Sequence, residues 1–245
     1  MLIESFERFG FDRASESFYK EKYSFSEDDW KQSLIKLQNI FESGLLIDQD
    51  CSFRKRAYLK LKWSKSTAKL EVPSHQTYYQ STYNNNVDGG KIRKFKIIDK
   101  EVLELPIIQS IFQKNISLIR SYPTLKNENN FIFGLHFIRY ESMEGRASYS
   151  SPIWLHKDDE PLVFVHLIQL SPNAIGGDNL IAETKEQKIT HVIRLEDPLD
   201  TLILTHNCLH MVTPIGSKKG VSFRDIILFT VEPSYTQKNN PYDKK

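Results

Sequence analysis

Two segments of the chain place apolar side chains at helical spacing. Residues 26–44, SEDDWKQSLIKLQNIFESG, begin with Ser26 as a candidate N-cap, carry acids in the first turn and end at Gly44. The apolar side chains of this segment recur at intervals of three and four and are Trp30, Leu34, Leu37, Ile40 and Phe41. Residues 106–119, PIIQSIFQKNISLI, predict a second helix, because Pro106 is tolerated in a first turn.

A period of two along AYLKLKW, residues 57–63, predicts a strand. Its odd positions are apolar, and its even positions, which we expect to face water, are Tyr58, Lys60 and Lys62. A polar segment, HQTYYQSTYNNNVDGGKIRKF, follows at residues 75–95, and Asp88-Gly89-Gly90 is a strong turn signal within it.

From Phe131 onward the chain consists of short apolar runs separated by turn residues. The predicted strands are FIFGLHFIRY, LVFVHLIQL, DNLIAE, THVIRL, DTLILT, HMVTPI and FRDIILFTV. The breaks between them fall at Pro172-Asn173, Gly176-Gly177, Pro198 and Gly216. Short strands at this spacing behind a helical N-terminal part predict a mainly β fold, a sandwich or jelly roll with helices packed outside it.

Composition narrows the class of protein. Hydrophobic residues make up 40% of the 245, which is enough for a packed core, and one domain is favoured at this length. Lys and Arg total 33 against 31 Asp and Glu, a balance that does not indicate nucleic-acid binding. No apolar run has the length of a membrane span. The first residues, MLIESFERFGFDRASES, do not resemble a secretory signal, and two cysteines make no disulfide framework, so we expect a cytoplasmic protein.

One short stretch carries candidate metal chemistry. PIWLHKDDEP, residues 152–161, places His156 and Asp158 two positions apart before a predicted strand. Side chains two apart on an extended chain point to the same side, so both can reach one metal ion. His210, where a later strand begins, is the candidate third ligand. Two histidines and one carboxylate form the facial triad of non-haem Fe(II) oxygenases, which leaves positions for a cosubstrate and dioxygen.

A 2-oxo acid that chelates such an ion needs a cation for its far carboxylate. Arg224 lies in SFRDIILFTV, an otherwise apolar strand, with Ile226 and Leu228 on the same parity. A guanidinium inside a barrel is costly unless it is paired, and its planar fork matches a carboxylate. Arg224 is therefore the candidate anchor for 2-oxoglutarate, although pairing with a surface acid is the alternative.

Other histidines leave alternatives open. His206 is a second candidate for the third ligand, and HNCLH could instead bind zinc through Cys208 and its flanking histidines. His210 is preferred because the strand pattern begins there. His136 and His166 lie inside apolar strands and are expected to be core or lining residues.

The order of motifs resembles a known family. LHKDD, IGGDN, CLHMVTPI and FRDIILFTVEP occur in the order found in the bacterial 2-oxoglutarate/Fe(II) dioxygenases that include the isoleucine 4-hydroxylases, which hydroxylate free amino acids. YYQSTYNNNVDGGKIRKF and HFIRY upstream are also similar, so the resemblance covers about residues 78–232. It implies a double-stranded β-helix core (jelly roll, cupin-like). It also implies His156, Asp158 and His210 as iron ligands, Arg224 as the 2-oxoglutarate anchor and O₂ as cosubstrate.

The chain departs from this family beside the metal ligands. Asp159 and Glu160 follow Asp158 where the family usually has His-x-Asp-Gly, and SSPIW precedes His156 where a Pro-Glu-Gly type of loop is expected. The triad itself is intact. These departures therefore put the identity of the substrate in doubt more than the type of reaction.

The resemblance predicts hydroxylation of an unactivated C–H bond of a free L-amino acid, with succinate and CO₂ as co-products. Gln80, Arg93 and Arg139 are candidates for its carboxylate, and Asp159 or Glu160 for its ammonium group or for a basic side-chain terminus. Whether an aliphatic or a basic amino acid is the substrate stays open at this point. The alternatives are an oxygenase acting on a peptide or larger metabolite, and a jelly-roll protein that binds zinc or a small molecule without oxygenase activity.

We expect one dioxygenase domain over residues 1–245. Residues 1–125 would form a helical and strand part packed on the barrel, residues 126–232 the jelly roll with the metal site, and residues 233–245 a polar tail. The partner would be a small molecule, with no nucleic acid and no membrane, and the sequence does not indicate an oligomeric state.

Overall fold

The computed structural model describes residues 6, 8–21, 25–49, 51–79, 82, 89–150 and 152–234. The helices include α1 (Glu16–Lys20), α2 (Glu27–Ser43) and α3 (Pro106–Ser121), together with a 3-10 helix at Lys100–Glu104. Within these residues no helix is both long enough and apolar enough to cross a membrane. Of the predicted polar tail, residues 233–245, Pro233 belongs to the last strand, and residues 235–245 lie outside the described residues.

The strands of the described segments alternate with short turns over most of the chain. In chain order they are β1 (Phe11–Ala14), β2 (Leu46–Asp48), β3 (Cys51–Ser64), β4 (Lys69–Glu71), β5 (Tyr78–Tyr79), β6 (Ile92–Arg93), β7 (Lys96–Ile97), β8 (Asn130–Met143), β9 (Leu162–Leu170), β10 (Ala174–Gly176), β11 (Asn179–Ala182), β12 (Ile189–Ile193), β13 (Thr201–Thr205), β14 (Leu209–Val212), β15 (Ile215–Ser217) and β16 (Val221–Pro233).

Both predicted helices are confirmed, and α2 shows why its segment is helical. The Ser26 hydroxyl accepts a hydrogen bond from the Asp29 backbone N–H at 3.1 Å, and the Asp29 carboxylate accepts one from the Ser26 backbone N–H at 3.3 Å. This capping box satisfies two N–H groups that a helix start would otherwise leave without partners. The apolar stripe of α2 then buries Trp30, Leu37 and Phe41.

The strands form a large sheet that faces smaller ones. The order in the large sheet is β1-β13-β9-β16-β8-β3-β2, with β4 and β7 also paired to β3. Opposite it lie the three-stranded sheet β12-β11-β14 and the pair β10-β15. Each strand predicted from Phe131 onward is present, and HMVTPI is divided between β14 and β15. The predicted jelly-roll core with flanking helices is confirmed.

Alternation along the central strands gives the large sheet two different faces. Phe133 and Phe137 of β8 and Ile227 and Phe229 of β16 belong to the core that includes the buried stripes of α2 and α3. Residues of the opposite parity, such as Ile138, belong to a second core inside the barrel. The helices therefore cover one face, and the other face remains for a binding site.

The prediction that the even positions of residues 57–63 face water is wrong in part. Lys62 is exposed, but Tyr58 is buried and Lys60 is only 8% exposed. The reason is that the even positions of β3 point into the barrel rather than into water. There the Tyr58 ring packs against His136, with ring centroids 4.6 Å apart.

On the helix-facing side, β8 and β16 are joined by a buried ion pair. Arg139 and Asp225 are directly opposite each other in the strand register. Arg139 Nε and Nη2 donate to the two carboxylate oxygens of Asp225, each at 2.7 Å, and the guanidinium carbon lies 4.4 Å from the centroid of the Phe223 ring. The Asp225 side chain is fully buried, so its charge depends on this partner.

Replacing Arg139 by Met should lower the free energy of unfolding by about 3–5 kcal/mol, because the buried Asp225 carboxylate loses its partner. Urea denaturation of the purified protein measures this loss. Lys55→Met is the matched control, since Lys55 pairs with Glu141 at 2.9 Å on a partly exposed surface and should matter by less than about 1 kcal/mol. Equal losses in the two variants would contradict the assignment of a structural role to the Arg139–Asp225 pair.

Candidate metal centre and ligand pocket

The backbone brings His156 and His210 side by side. The N–H of each donates to the carbonyl oxygen of the other at 2.9 Å, which forms an isolated antiparallel bridge between the segment before β9 and strand β14. The centroids of the two imidazole rings are 4.4 Å apart. Residues far apart in the sequence are therefore held in fixed register at the mouth of the barrel.

Asp158 completes a group of three candidate ligands. Its Oδ1 lies 3.5 Å from His156 Nε2, and its Oδ2 lies 3.5 Å from His210 Nε2. One ligand atom from each residue lies within 4.8 Å of the others. Among the described residues, these three are the His, Cys, Asp and Glu side chains that are close enough together to hold one ion.

Hydrogen bonds on the far side of each ring fix which nitrogen can bind a metal. His156 Nδ1 lies 2.9 Å from the carbonyl oxygen of Trp154, and His210 Nδ1 lies 3.2 Å from that of Cys208. A carbonyl oxygen only accepts, so each Nδ1 carries the hydrogen and each Nε2 keeps its lone pair. Such bonds orient the imidazole and make it a better ligand.

The electrostatics of the three groups suit a cation. Burial lowers the pKa of His210 below its ordinary value, which favours the neutral, ligating form. For Asp158, burial acts to raise the pKa, but the neighbouring His210 and His156 lower it on balance, so the carboxylate stays ionised. For His156, burial acts to lower the pKa, and Asp158 raises it on balance.

The alternative zinc cluster around Cys208 is not assembled in the described part of the chain. Neither His206 nor Cys208 belongs to the three-residue group. Cys208 is buried, and burial raises the pKa of its thiol to about 12. The thiol is therefore protonated at neutral pH, whereas zinc binds the thiolate.

A cavity of about 110 Å³ adjoins these three side chains inside the barrel. Its apolar walls come from both sheets and consist of Ile138, Val163, Val165, Leu204, Val212, Ile226 and Leu228. Such walls exclude water and strengthen the interactions of the few polar groups among them.

Arg224 of β16 lines this cavity with Ile226 and Leu228, the parity that the sequence predicts. It is only 2% exposed, and its Nε and Nη2 have no hydrogen-bond partner among the described residues. A Cβ on Gly177, whose φ is +76°, would lie 3.2 Å from Arg224 Cδ, so a glycine leaves the space that this side chain needs. A buried guanidinium without an acceptor is costly, which indicates an anionic ligand.

Two of the predicted substrate residues lie in the pocket. Arg93 and Glu160 are both buried and line the same cavity as the candidate metal ligands. Burial raises the pKa of Glu160 well above its ordinary value, and the charge of Asp158 adds to this effect. A cation and a carboxyl group thus lie together in the pocket of a small barrel.

Of the other predicted substrate residues, two do not line the pocket, and one lies outside the described residues. Arg139 points to the helix-facing side of β8, where Asp225 occupies its guanidinium, so it does not line the pocket. Asp159 is exposed, because the alternation that turns Asp158 and Glu160 inward turns it outward. Gln80 lies outside the described residues.

Sequence reasoning missed several polar residues of the pocket. Arg54, Arg56 and Tyr78 line it with the residues above. A signal was present, because Arg54 and Arg56 share the parity of Tyr58 on β3. The assumption that this parity faces water concealed it.

Comparisons with known proteins show which family the chain belongs to. The family model described as 2OG-Fe dioxygenase matches residues 40–230. The chain belongs to this family. It is 36% identical over 215 residues, 86% of both chains, to the 3(1)-hydroxy-L-isoleucine 4-dioxygenase of Pantoea ananatis. It is also 37% identical over 207 residues, 84% of this chain and 86% of the relative, to the L-isoleucine-4-hydroxylase of Bacillus thuringiensis.

Solved structures show the same fold. The crystal structure of IDO from Bacillus thuringiensis aligns with a TM-score of 0.82 at 34% identity, covering 95% of this chain and 98% of that one. A bsmA homolog from Methylobium petroleophilum aligns with a TM-score of 0.79 at 20% identity, covering 95% and 92% of the two chains, and this likeness concerns the fold alone.

The chain is thus an Fe(II)- and 2-oxoglutarate-dependent dioxygenase, which uses O₂. The residues present fit these groups. Two imidazoles and a carboxylate converge from one side, which suits Fe(II) with positions left open. The buried donors of Arg224 that lack an acceptor suit a carboxylate.

Replacing Asp158 by Ala should weaken binding of a divalent metal by more than about 100-fold, since even supporting partners of a ligand contribute 10–100-fold. Anaerobic titration with Fe(II) or Co(II) measures the affinity. Cys208→Ala is the matched control and should bind the metal like the unaltered protein. Loss of metal in Cys208→Ala with retention in Asp158→Ala would favour the zinc alternative instead.

Proposed function

We propose that this enzyme hydroxylates an unactivated C–H bond of a free L-amino acid, with His156, Asp158 and His210 as its iron ligands. The observation that carries the proposal is the pairing of this three-residue group with the uncompensated guanidinium of Arg224 in one small, apolar pocket. When bound, Fe(II) with 2-oxoglutarate and O₂ supplies the oxidation, in which C–H becomes C–OH while 2-oxoglutarate becomes succinate and CO₂.

In this proposal Arg224 anchors the distal carboxylate of 2-oxoglutarate. Its fork can form two parallel charge-assisted hydrogen bonds, which fix the orientation of the cosubstrate as well as its affinity. The apolar walls beside it, including Ile226 and Leu228, exclude water from the reacting groups. The protein thereby holds one substrate carbon against the oxidant and keeps competing water away.

An aliphatic amino acid fits the pocket better than a basic one. Both curated relatives carry names that refer to isoleucine or its hydroxylated form. Seven apolar side chains line the pocket, and Asp159, one of the two candidate partners for a distal amine, is exposed, which leaves Glu160 as the other. We assign Arg93 to the carboxylate of the amino acid and Glu160 to its ammonium group.

The small pocket also favours a free small molecule over a peptide or a larger metabolite. A cavity of about 110 Å³ is below the usual range for sites that hold drug-sized ligands. We place the enzyme in the cytoplasm, where its two free cysteines, Cys51 and Cys208, would stay reduced.

The substrate proposal predicts that succinate formation depends on a free amino acid. The test supplies the protein anaerobically with Fe(II) and 2-oxoglutarate, then adds O₂ with L-isoleucine, L-leucine, L-methionine, L-lysine or L-ornithine. Mass spectrometry should detect succinate together with one added oxygen in an aliphatic member of this panel, and His156→Ala should abolish both. Coupled product from the basic members alone would contradict the aliphatic assignment, and no coupled product from any member would defeat the proposed function.

Replacing Arg224 by Met should weaken 2-oxoglutarate binding by roughly 10–100-fold, because a charge-assisted hydrogen-bonded pair is lost. Anaerobic calorimetry on the metal-loaded protein measures the affinity directly. Arg146→Met, which removes an exposed arginine outside the pocket, is the control and should bind 2-oxoglutarate normally. If Arg224→Met binds 2-oxoglutarate as tightly as the unaltered protein, Arg224 does not anchor the cosubstrate.

A further inference from the structure

A second guanidinium in the pocket has a donor without an acceptor among the described residues, and it lies on a different strand from Arg224. Arg56 of β3 lines the cavity and is 6% exposed. Its Nη2 lies 2.7 Å from His136 Nδ1, whereas its Nε has no hydrogen-bond partner among the described residues. Arg56 therefore presents an unused donor inside a nearly dry site.

Among the described residues, Arg56 shares its nearest carboxylate with Arg54 and forms no hydrogen bond to it. The nearest carboxylate oxygen, Asp48 Oδ2, lies 2.7 Å from Arg54 Nε but 3.9 Å from Arg56 Nη1, beyond hydrogen-bond distance. Burial lowers the pKa of Arg56 to about 10, and the charges of Arg54 and Arg93 contribute. Arg56 is still a cation at neutral pH, so the energetic cost of its burial calls for an anion.

The guanidinium of Arg56 is held in one orientation. Its central carbon lies 4.2 Å from the centroid of the Phe95 ring and 5.6 Å from that of Tyr78. Burial, with the charges of Arg56 and Arg93, lowers the pKa of His136 well below its ordinary value, so the imidazole is neutral and Nδ1 accepts from Arg56. A donor that is fixed in advance loses little entropy when a ligand binds.

The same cavity also offers a carboxyl group, whose oxygens can accept hydrogen bonds. Glu160 is buried and lines the pocket with Arg56. An α-amino acid carries a carboxylate and an ammonium group on one carbon, and it needs an acceptor as well as a donor in a site from which water is excluded.

We propose that Arg56 binds the α-carboxylate of the amino-acid substrate, that His136 is its positioning residue, and that Glu160 receives the ammonium group. This inference rests on the proposed function and deepens it. Arg93 then assists Arg56 rather than acting alone. The site selects the free zwitterion, so an amide, an ester or a peptide-linked residue binds poorly.

Variants of Arg56 separate the substrate from the cosubstrate, which also carries carboxylates. Anaerobic calorimetry measures 2-oxoglutarate binding to the Fe(II)-loaded protein first, and then binding of L-isoleucine or the panel member with the highest turnover. Arg56→Met should weaken amino-acid binding roughly 10–100-fold and change 2-oxoglutarate affinity by less than about 2-fold. Arg56→Lys, which keeps the charge without the fork, should fall between.

Lys55→Met is the matched control, because it removes a cation from the adjacent position of β3, outside the pocket. It should bind both ligands like the unaltered protein. If 2-oxoglutarate affinity falls in Arg56→Met while amino-acid affinity does not, Arg56 serves the cosubstrate and the inference is overturned.

A change in the ligand tests the same point without depending on the folding of a variant. The primary amide of the same amino acid should bind the unaltered protein at least about 10-fold more weakly than the amino acid, because its neutral carbonyl forms no ion pair with Arg56. In Arg56→Met this difference should nearly disappear. An amide that binds the unaltered protein as tightly as the amino acid overturns the inference.

The positioning role of His136 has its own signature. His136→Leu should raise the KM for the amino acid with little change in kcat, whereas His136→Asn should restore much of the loss, because its amide oxygen can accept from Arg56 near the position of Nδ1. A kcat that falls equally in both variants overturns the positioning role.

The experiments distinguish a failure of the proposed function from a failure of the inference about Arg56. If no amino acid of the panel yields succinate with the unaltered protein, the proposed function fails and the inference fails with it. If turnover is coupled but Arg56→Met keeps its amino-acid affinity, the inference alone fails.

Discussion

The alternation of side chains along three long neighbouring strands, β3, β8 and β16, decides what reaches the interior of this protein. Because the period is two, each strand sends one parity to the helices and the other into the barrel. Arg224 faces the pocket and Asp225 faces the helices, although they are adjacent in the chain. A slip of one residue in register would exchange these roles, so the pocket depends on the pairing of these strands.

Four of the five buried arginines illustrate how a protein partner distinguishes a structural arginine from one that can bind a ligand. Arg139 is matched by Asp225 and Arg54 by Asp48, each at 2.7 Å, and these pairs need nothing further. Arg224 and Arg56 face the cavity with donors that no described residue accepts. The two matched arginines stabilise the sheet, while the two unmatched ones have donors available for an anionic ligand. The proposed reaction uses 2-oxoglutarate and an amino acid. Each of these molecules brings a carboxylate that can bind one of the two unmatched arginines.

The sequence predicted much of the barrel because apolar runs and turn residues are local signals. His156, Asp158 and Arg224 were predictable from spacing and parity, and His210 was preferred because a strand begins there. Arg139 was misassigned because parity alone does not tell which face of a sheet the helices cover. Arg56 was missed for the reverse reason, since lysines of the same parity on β3 suggested water rather than a barrel interior. Pairing across strands, which supplies this information, is not a local property.

The central claim is that Arg224 and Arg56 bind different carboxylates. A crystal structure of the complex tests it most directly. The crystals would be grown anaerobically with Fe(II), 2-oxoglutarate and the amino acid that the enzyme hydroxylates. We expect the distal carboxylate of 2-oxoglutarate within hydrogen-bond distance of Arg224, and the α-carboxylate of the amino acid within hydrogen-bond distance of Arg56. A structure in which Arg56 binds 2-oxoglutarate, or in which the amino-acid carboxylate lies away from Arg56, would contradict the account.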